Sequence, residues 1–314
     1  MPTLQQIRYL VALSNSLHYR KAAEACRVTQ PTLSAQLKDL ERKLGVSLVE
    51  QSRPKVILTA AGRAVAERGR RMLGDLEEIH AIAASGRGMF ETTIRIGVVQ
   101  SLGSYFLPLI VPDLHASHPR LGVYLREGLP DMLLQALETG TLDLLFFPLP
   151  VARGELESVP LFREPIEVVA PHDHRLAREA VIDPEMLRGE TILSLEPGHK
   201  LHEQVRTLCA DYGARLSGDY SGTSLDTLRQ MVAMGMGVSL MPALYVKSEV
   251  APQDVVVARR FRTRAPARTI GMVWRRGTAR AGEYRRLAGE ICAIMRHAAP
   301  EVVILGRSVP PAQS

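Results

Sequence analysis

Residues 19–60, YRKAAEACRVTQPTLSAQLKDLERKLGVSLVEQSRPKVILTA, constrain this chain more than any other stretch. They read as two short helices joined by a tight turn and followed by a basic hairpin. Ala22, Ala23 and Ala25 thin the first helix so that the second can cross close against it, and Val28 plugs the turn. Thr29 is placed to cap the second helix, with Pro31 in its first turn, where no intrahelical N–H is needed. Leu33, Leu37, Leu40 and Leu44 then recur at helical spacing and define a buried stripe. Gly45 ends the helix, and SLVEQSRPKVILT reads as a two-stranded wing with Arg53 and Lys55 at its tip.

Placing Leu33 inward turns Pro31, Thr32, Ser34, Ala35, Lys38 and Arg42 outward. The N-terminal members of that set, with Gln30 and Gln36, can reach base edges in a DNA major groove. Amides suit adenine, hydroxyls suit several bases, and small apolar groups suit thymine methyls. Lys38, Arg42 and Lys43 suit phosphates, which position a protein without specifying sequence. The alternative is a helical protein-interaction module with solvated charges. Short polar side chains at the start of the exposed face, instead of Glu/Lys pairs, count against it.

Charge agrees with a nucleic-acid module. Residues 1–90 hold 14 Lys+Arg against 8 Asp+Glu, while the remainder holds 25 of each, so the net charge of +6 sits wholly at the front. Membrane-surface binding would need a Lys/Arg stripe with Trp or Phe opposite, and none is present. Residues 1–30 carry no signal-peptide core and no run reaches transmembrane length, which gives the expectation of a cytoplasmic protein without membrane contact. Cys26, Cys209 and Cys292 cannot close a set of disulfides, and no CxxC pair suggests zinc. No metal and no cofactor is expected.

Residues 60–84 form one long helix, ended by Ser85-Gly86-Arg87-Gly88. Val65, Met72 and Ile79 recur every seven positions, with Leu76 and Ala83 on a second row, as in a helix-to-helix seam between two copies. Packing on its own chain is the alternative. From Thr92 the texture alternates βαβαβ: TIRIGVV, a helix near Ser104, LGVYLRE, a helix at PDMLLQALETG, then LDLLFFPL. Residues 162–265 repeat it, and RTIGMVWRR with the helix from about Ala281 to His297 return to it. The alternation predicts a mostly parallel sheet with helices on its faces, and a frayed last dozen residues.

The pattern AAExxxVTQPTLSxQLxxLExxLGxxL, with a wing ending in LTxAG, runs from Ala22 to Gly62 and resembles the LysR-type transcriptional regulators. One departure is that the wing reads LVEQ where the family usually has LFER. The resemblance covers nearly the whole chain. It implies an α+β winged helix-turn-helix DNA-binding domain plus a long dimerising linker helix, followed by an α/β periplasmic-binding-protein-like effector domain of two subdomains. It also implies double-stranded promoter DNA and a small-molecule effector as partners, and a homodimer assembling into a homotetramer. The boundaries expected are 1–60 for the DNA-binding domain, 61–88 for the linker, 89–161 and 266–298 for effector subdomain I, 162–265 for subdomain II, and 299–314 for a tail. Within the family, LSLEPGHKLHEQVRTLC and TSLDTLRQMVAMGMGVSLMPAL resemble the OxyR-type peroxide-sensor branch. In that branch a reactive cysteine follows the Gly-His pair and its disulfide partner lies nine residues later. Here Gly198-His199 is followed by Lys200, and the partner position is Cys209. An ammonium cannot attack an O–O bond, so disulfide switching by this pair is not expected.

Ligands in open α/β domains bind beyond strand carboxyl ends and at helix N-termini. Three polar segments qualify: Gln100, Ser101 and Leu102; Gly198, His199 and Lys200; Ser221 to Ser224, including Thr223. Together they suit a small anion such as a carboxylate. The alternatives are that Ser101, Thr223 and Ser224 are helix caps, that Lys200 is a surface lysine, and that His199 is structural. The expectation is a regulator that is not an enzyme, since no nucleophile–base pairing or phosphate loop is present. Its rival is a redox-responsive regulator using Cys209 with an intermolecular partner or a reversible cap.

Overall fold

Leucine spacing at the front of the chain and strand–helix alternation behind it produce two compact units, one running through the linker helix and taking in Ala136–Thr141, the other holding the rest of the chain from the first strand onward. The computed structural model describes residues 1–50, 56–83, 92–251, 255–263 and 265–306.

In the first unit, α1 (Leu4–Ser16) starts on a capping box, in which Thr3 and Gln6 satisfy each other's backbone N–H groups. α2 (Tyr19–Ala25) and α3 (Gln30–Leu44) follow. Arg27, in the turn between them, takes a left-handed φ of 55°. Thr29 caps α3 through Oγ1, which accepts from the Thr32 N–H, and Gly45 ends it at φ 67°. Leu33, Leu37 and Leu40 are buried with Leu10, Leu13, Ala22 and Ala23. Two expectations need correcting. Leu44 is exposed because the helix stops there and the chain turns away, and Ala25 lies on the solvent face of α2.

The wing keeps its antiparallel start. Glu50 N–H donates to Ile57 O at 2.8 Å and Thr59 N–H to Leu48 O at 3.0 Å. The Glu41 carboxylate accepts from Leu48 N–H and Val49 N–H, tying α3 to the wing. Arg53 and Lys55 lie outside the described residues. α4 (Ala60–Ala83) follows. Gly62 in its first turn has no room for a side chain, because a Cβ there would collide with the Leu48 carbonyl oxygen.

The second unit contains β1 (Ile94–Val99), α5 (Gly103–Ser117), β2 (Val123–Gly128), α6 (Pro130–Glu138), β3 (Leu144–Leu149) and β4 (Leu156–Ala170). It continues with β5 (Thr191–Leu195), α7 (Lys200–Tyr212), β6 (Arg215–Gly222), α8 (Leu225–Ala233), β7 (Val238–Pro242), α9 (Ala243–Tyr245), β8 (Val257–Arg259), β9 (Ala267–Arg275), α10 (Ala281–Ala298) and β10 (Val303–Ile304). Strand order is β2-β1-β3-β9-β4-β7-β5-β6. β1 runs parallel to β2 and β3, and β5 runs parallel to β6 and β7.

The sheet is not mostly parallel, however. The long strands β4 and β9 run antiparallel to each other and to the parallel groups they join. β4 pairs with β9 through Pro165 and with β7 from Ile166, so it passes from one lobe into the other. Alternation of strands and helices identifies the parallel groups, but a strand that leads into no crossover helix carries no such signal. β10 pairs with β4 at Val303↔Arg163, which orders the start of the segment expected to fray.

Candidate functional site

Residues brought to the outer face of α3 meet the first requirement of a groove reader, because they are open. Gln30, Pro31, Thr32, Ala35, Gln36, Lys38 and Arg42 are exposed, and Ser34 is half-buried. The Thr32 hydroxyl lies 2.8 Å from that of Thr29. Lys38 makes no ion pair among the described residues. Arg42 and Lys43 are less free, since both reach Asp39, Lys43 Nζ at 2.7 Å. Hydrogen bonds from Lys43, then Arg42 and Gln6, hold the Asp39 carboxyl well below the usual carboxylate range. A carboxylate on this face would repel phosphate, and its neutralisation by two cations removes that penalty.

The three candidate effector segments divide by role. Gln100 is exposed, but Ser101 and Leu102 are buried. The Ser101 hydroxyl accepts from Arg268 Nη1 at 2.7 Å, and its carbonyl accepts from Arg268 Nη2 at 2.8 Å. Arg268 Nε donates to Glu164 Oε2 at 2.8 Å, and Glu164 Oε1 accepts from Leu244 N–H at 2.9 Å. Arg268 and Glu164 are both buried, and a charge pair removed from water survives only with such complete hydrogen bonding. The network ties the β1–α5 turn to β4, β9 and the start of α9, so Ser101 is engaged within the protein. Arg268 and Glu164 were not legible in the sequence, because they sit in strands with no motif around them.

β5 and β6 are parallel neighbours, paired at Leu195↔Gly222, so the segments after them emerge side by side at one sheet edge. That brings His199 and Lys200 to the same edge as Thr223 and Ser224. Ser224 is the N-cap of α8, its Oγ accepting from Thr227 N–H at 3.2 Å, while Thr223 is exposed. α5 and α8 meet through Tyr105, whose hydroxyl donates to Asp226 Oδ2 at 3.2 Å. Tyr245 holds the other oxygen of Asp226 at 3.2 Å and accepts from Arg229 Nε. His199 is 4% exposed at the N-terminus of α7, makes no side-chain cap bond, and its Nε2 is buried without a hydrogen-bond partner. Burial favours its neutral form, opposed by Glu196 4.0 Å away and reinforced by His202. Lys200 is exposed in the first turn of α7.

Cys209 faces the core of its lobe at 4% exposure, and burial pushes its thiol up to about 11. Cys26 and Cys292 are also free thiols, and burial raises both. Among the described residues no cluster of His, Cys, Asp or Glu could hold a metal ion, and no helix is long and apolar enough to cross a membrane.

Residues 4–63 match the family of bacterial regulatory helix-turn-helix proteins, lysR family, and residues 60–291 match the LysR substrate binding domain. The chain is 37% identical over 292 residues to the DNA-binding transcriptional dual regulator OxyR of Escherichia coli strain K12, covering 93% of this chain and 95% of that protein. It is 35% identical to the hydrogen peroxide-inducible genes activator of Haemophilus influenzae, covering 92% and 95%. Among solved structures, a full-length cysteine-to-aspartate variant of OxyR from Pseudomonas aeruginosa matches with a TM-score of 0.79, 32% identity and coverage of 98% and 99%. An H2O2-bound cysteine-to-serine variant of OxyR from Corynebacterium glutamicum matches with a TM-score of 0.67, 28% identity and coverage of 96% and 95%.

Proposed function

The chain belongs to the LysR family of DNA-binding transcriptional regulators, and from that premise we propose how its parts divide the work. Residues 1–60 bind promoter DNA, with Gln30, Pro31, Thr32, Ser34, Ala35 and Gln36 toward the bases and Lys38, Arg42, Arg53 and Lys55 toward phosphates. The helix within 61–88 pairs two copies, and pairs assemble into a tetramer in the cytoplasm. Residues 89–161 and 266–298 form one effector lobe, 162–265 the other, and 299–314 a tail. A small anion enters between the lobes, favours one lobe angle, and so changes the spacing of the DNA-binding heads. No catalysis and no cofactor takes part.

The effector reading rests on His199, whose buried Nε2 lacks a partner at the N-terminus of a helix of 13 residues, beside the Lys200 ammonium. A helix N-terminus presents free N–H groups and partial positive charge, and a neutral imidazole adds a donor. Glu196, nearly half exposed, turns to solvent when the anion enters. Thermal-shift screening of the full chain against small carboxylates tests this. A ligand at about 100 times its Kd stabilises the fold by about 2.7 kcal/mol, and Lys200→Ala is expected to abolish most of that gain together with the promoter response. Unchanged binding and response in Lys200→Ala would overturn the assignment.

The names of the relatives favour a second reading, a peroxide-responsive regulator in which Cys209 is oxidised through an intermolecular partner or a reversible cap. It is the weaker one. Lys200 occupies the position where the OxyR-type branch carries its reactive cysteine, and Cys209 is a buried, protonated thiol.

A further inference from the structure

Gln6, on α1, is 1% exposed, and all four hydrogen-bonding valences of its amide are used. Its Oε1 accepts from Thr3 N–H at 3.1 Å and from Lys43 Nζ at 3.3 Å. Its Nε2 donates to Asp39 Oδ2 at 2.7 Å and to Gln36 Oε1 at 3.0 Å. These partners leave no freedom in how the amide is turned. A backbone N–H and an ammonium only donate, so they face the oxygen. An ionised carboxylate only accepts, so it faces the nitrogen. The second hydrogen of that nitrogen therefore meets an acceptor on Gln36, and that acceptor is the amide oxygen.

Gln36 lies on the exposed face of α3 with its oxygen turned inward to Gln6, which leaves its NH2 group for whatever docks on that face. A glutamine reads adenine by presenting both amide ends, accepting from N6–H and donating to N7. Here the accepting end is engaged at home. We propose that Gln6 is a positioning residue that fixes Gln36 with its oxygen inward and its NH2 outward, so that Gln36 favours bases whose exocyclic group accepts, guanine (O6, beside N7) and thymine (O4), over adenine and cytosine, whose exocyclic amino groups donate. This rests on α3 being the helix that reads DNA, and it replaces the adenine preference that residue type alone suggests for Gln36.

The experiment uses the full-length chain and duplexes it selects from a randomised pool, with every base pair of the selected half-site then varied in equilibrium competition. Wild type should prefer guanine or thymine at one base pair per half-site, by about fivefold or more, the lower range of a mismatch cost. Gln36→Ala should flatten that preference and leave the others. Gln6→Glu should invert it, because a carboxylate that only accepts turns the Gln36 NH2 inward and its oxygen toward adenine N6 or cytosine N4. Gln6→Met, which removes the constraint, should let adenine compete equally. An adenine preference in wild type at the position that Gln36→Ala flattens would overturn the proposal, as would an unaltered preference in both Gln6 variants. If Gln36→Ala changes no position while Thr32→Ala does, α3 still reads DNA and only the role of Gln36 fails. If no duplex is selected at all, the reading of α3 fails with it.

Discussion

At the scale of single residues, the state of Cys209 bears most on the redox reading. Cys209 packs on the inner side of α7, and desolvation disfavours its thiolate. The sign follows from the charge, since burial raises an acid that ionises to an anion. At pH 7.5 the folded protein should hold far less Cys209 thiolate than an unfolded chain, whose thiol ionises near its ordinary value of about 8.5. Alkylation by iodoacetamide, followed by peptide mass spectrometry, should therefore be slow at pH 7.5 in the native state. It should accelerate as pH rises toward about 11, and become fast at pH 7.5 once denaturant is added. Rapid native alkylation at neutral pH would revive the redox reading. Lys200 and Cys209 were legible as a broken pair only through the resemblance to the OxyR-type branch. The engagement of Ser101 by Arg268 was not, because it joins residues 167 positions apart and depends on β9 lying beside β4.

At the level of elements, periodicity carried most of the information. Leu33, Leu37 and Leu40 announced α3 and its buried side, and Thr29 and Gly45 announced its ends. The capping box of Thr3 and Gln6 went unread in the sequence, and the reach of Gln6 across to α3 is tertiary and invisible in local sequence. β4 and β9 escaped as the antiparallel spine because a strand's direction is set by what it joins. The seven-residue row on α4 splits in the folded chain. Val65 packs against the helix-turn-helix core, while Met72 and Ile79 are exposed at 45% and 59%. Open apolar side chains at positions seven apart fit a seam awaiting a second helix. Burying each is worth roughly 1.5–3 kcal/mol, so Met72→Glu with Ile79→Glu should weaken self-association by at least about tenfold in sedimentation equilibrium. An unchanged association constant would place the dimer contact elsewhere.

For the whole molecule, the uneven charge and the open face of α3 belong to one design. The excess of Lys+Arg lies in the first 90 residues, in the part that contains α3 and the wing, while the effector domain is neutral. Association with duplex DNA then releases counterions, and log K should fall linearly with log salt, with a slope near −0.9 for each phosphate neutralised. The most direct test is that slope, measured for the full-length chain on a selected duplex alongside Lys38→Ala. A steep line is expected for the native chain, and a slope shallower by about one for each phosphate contact that Lys38→Ala removes. Binding that ignores salt, or a slope that Lys38→Ala leaves untouched while the fold is intact, would contradict it.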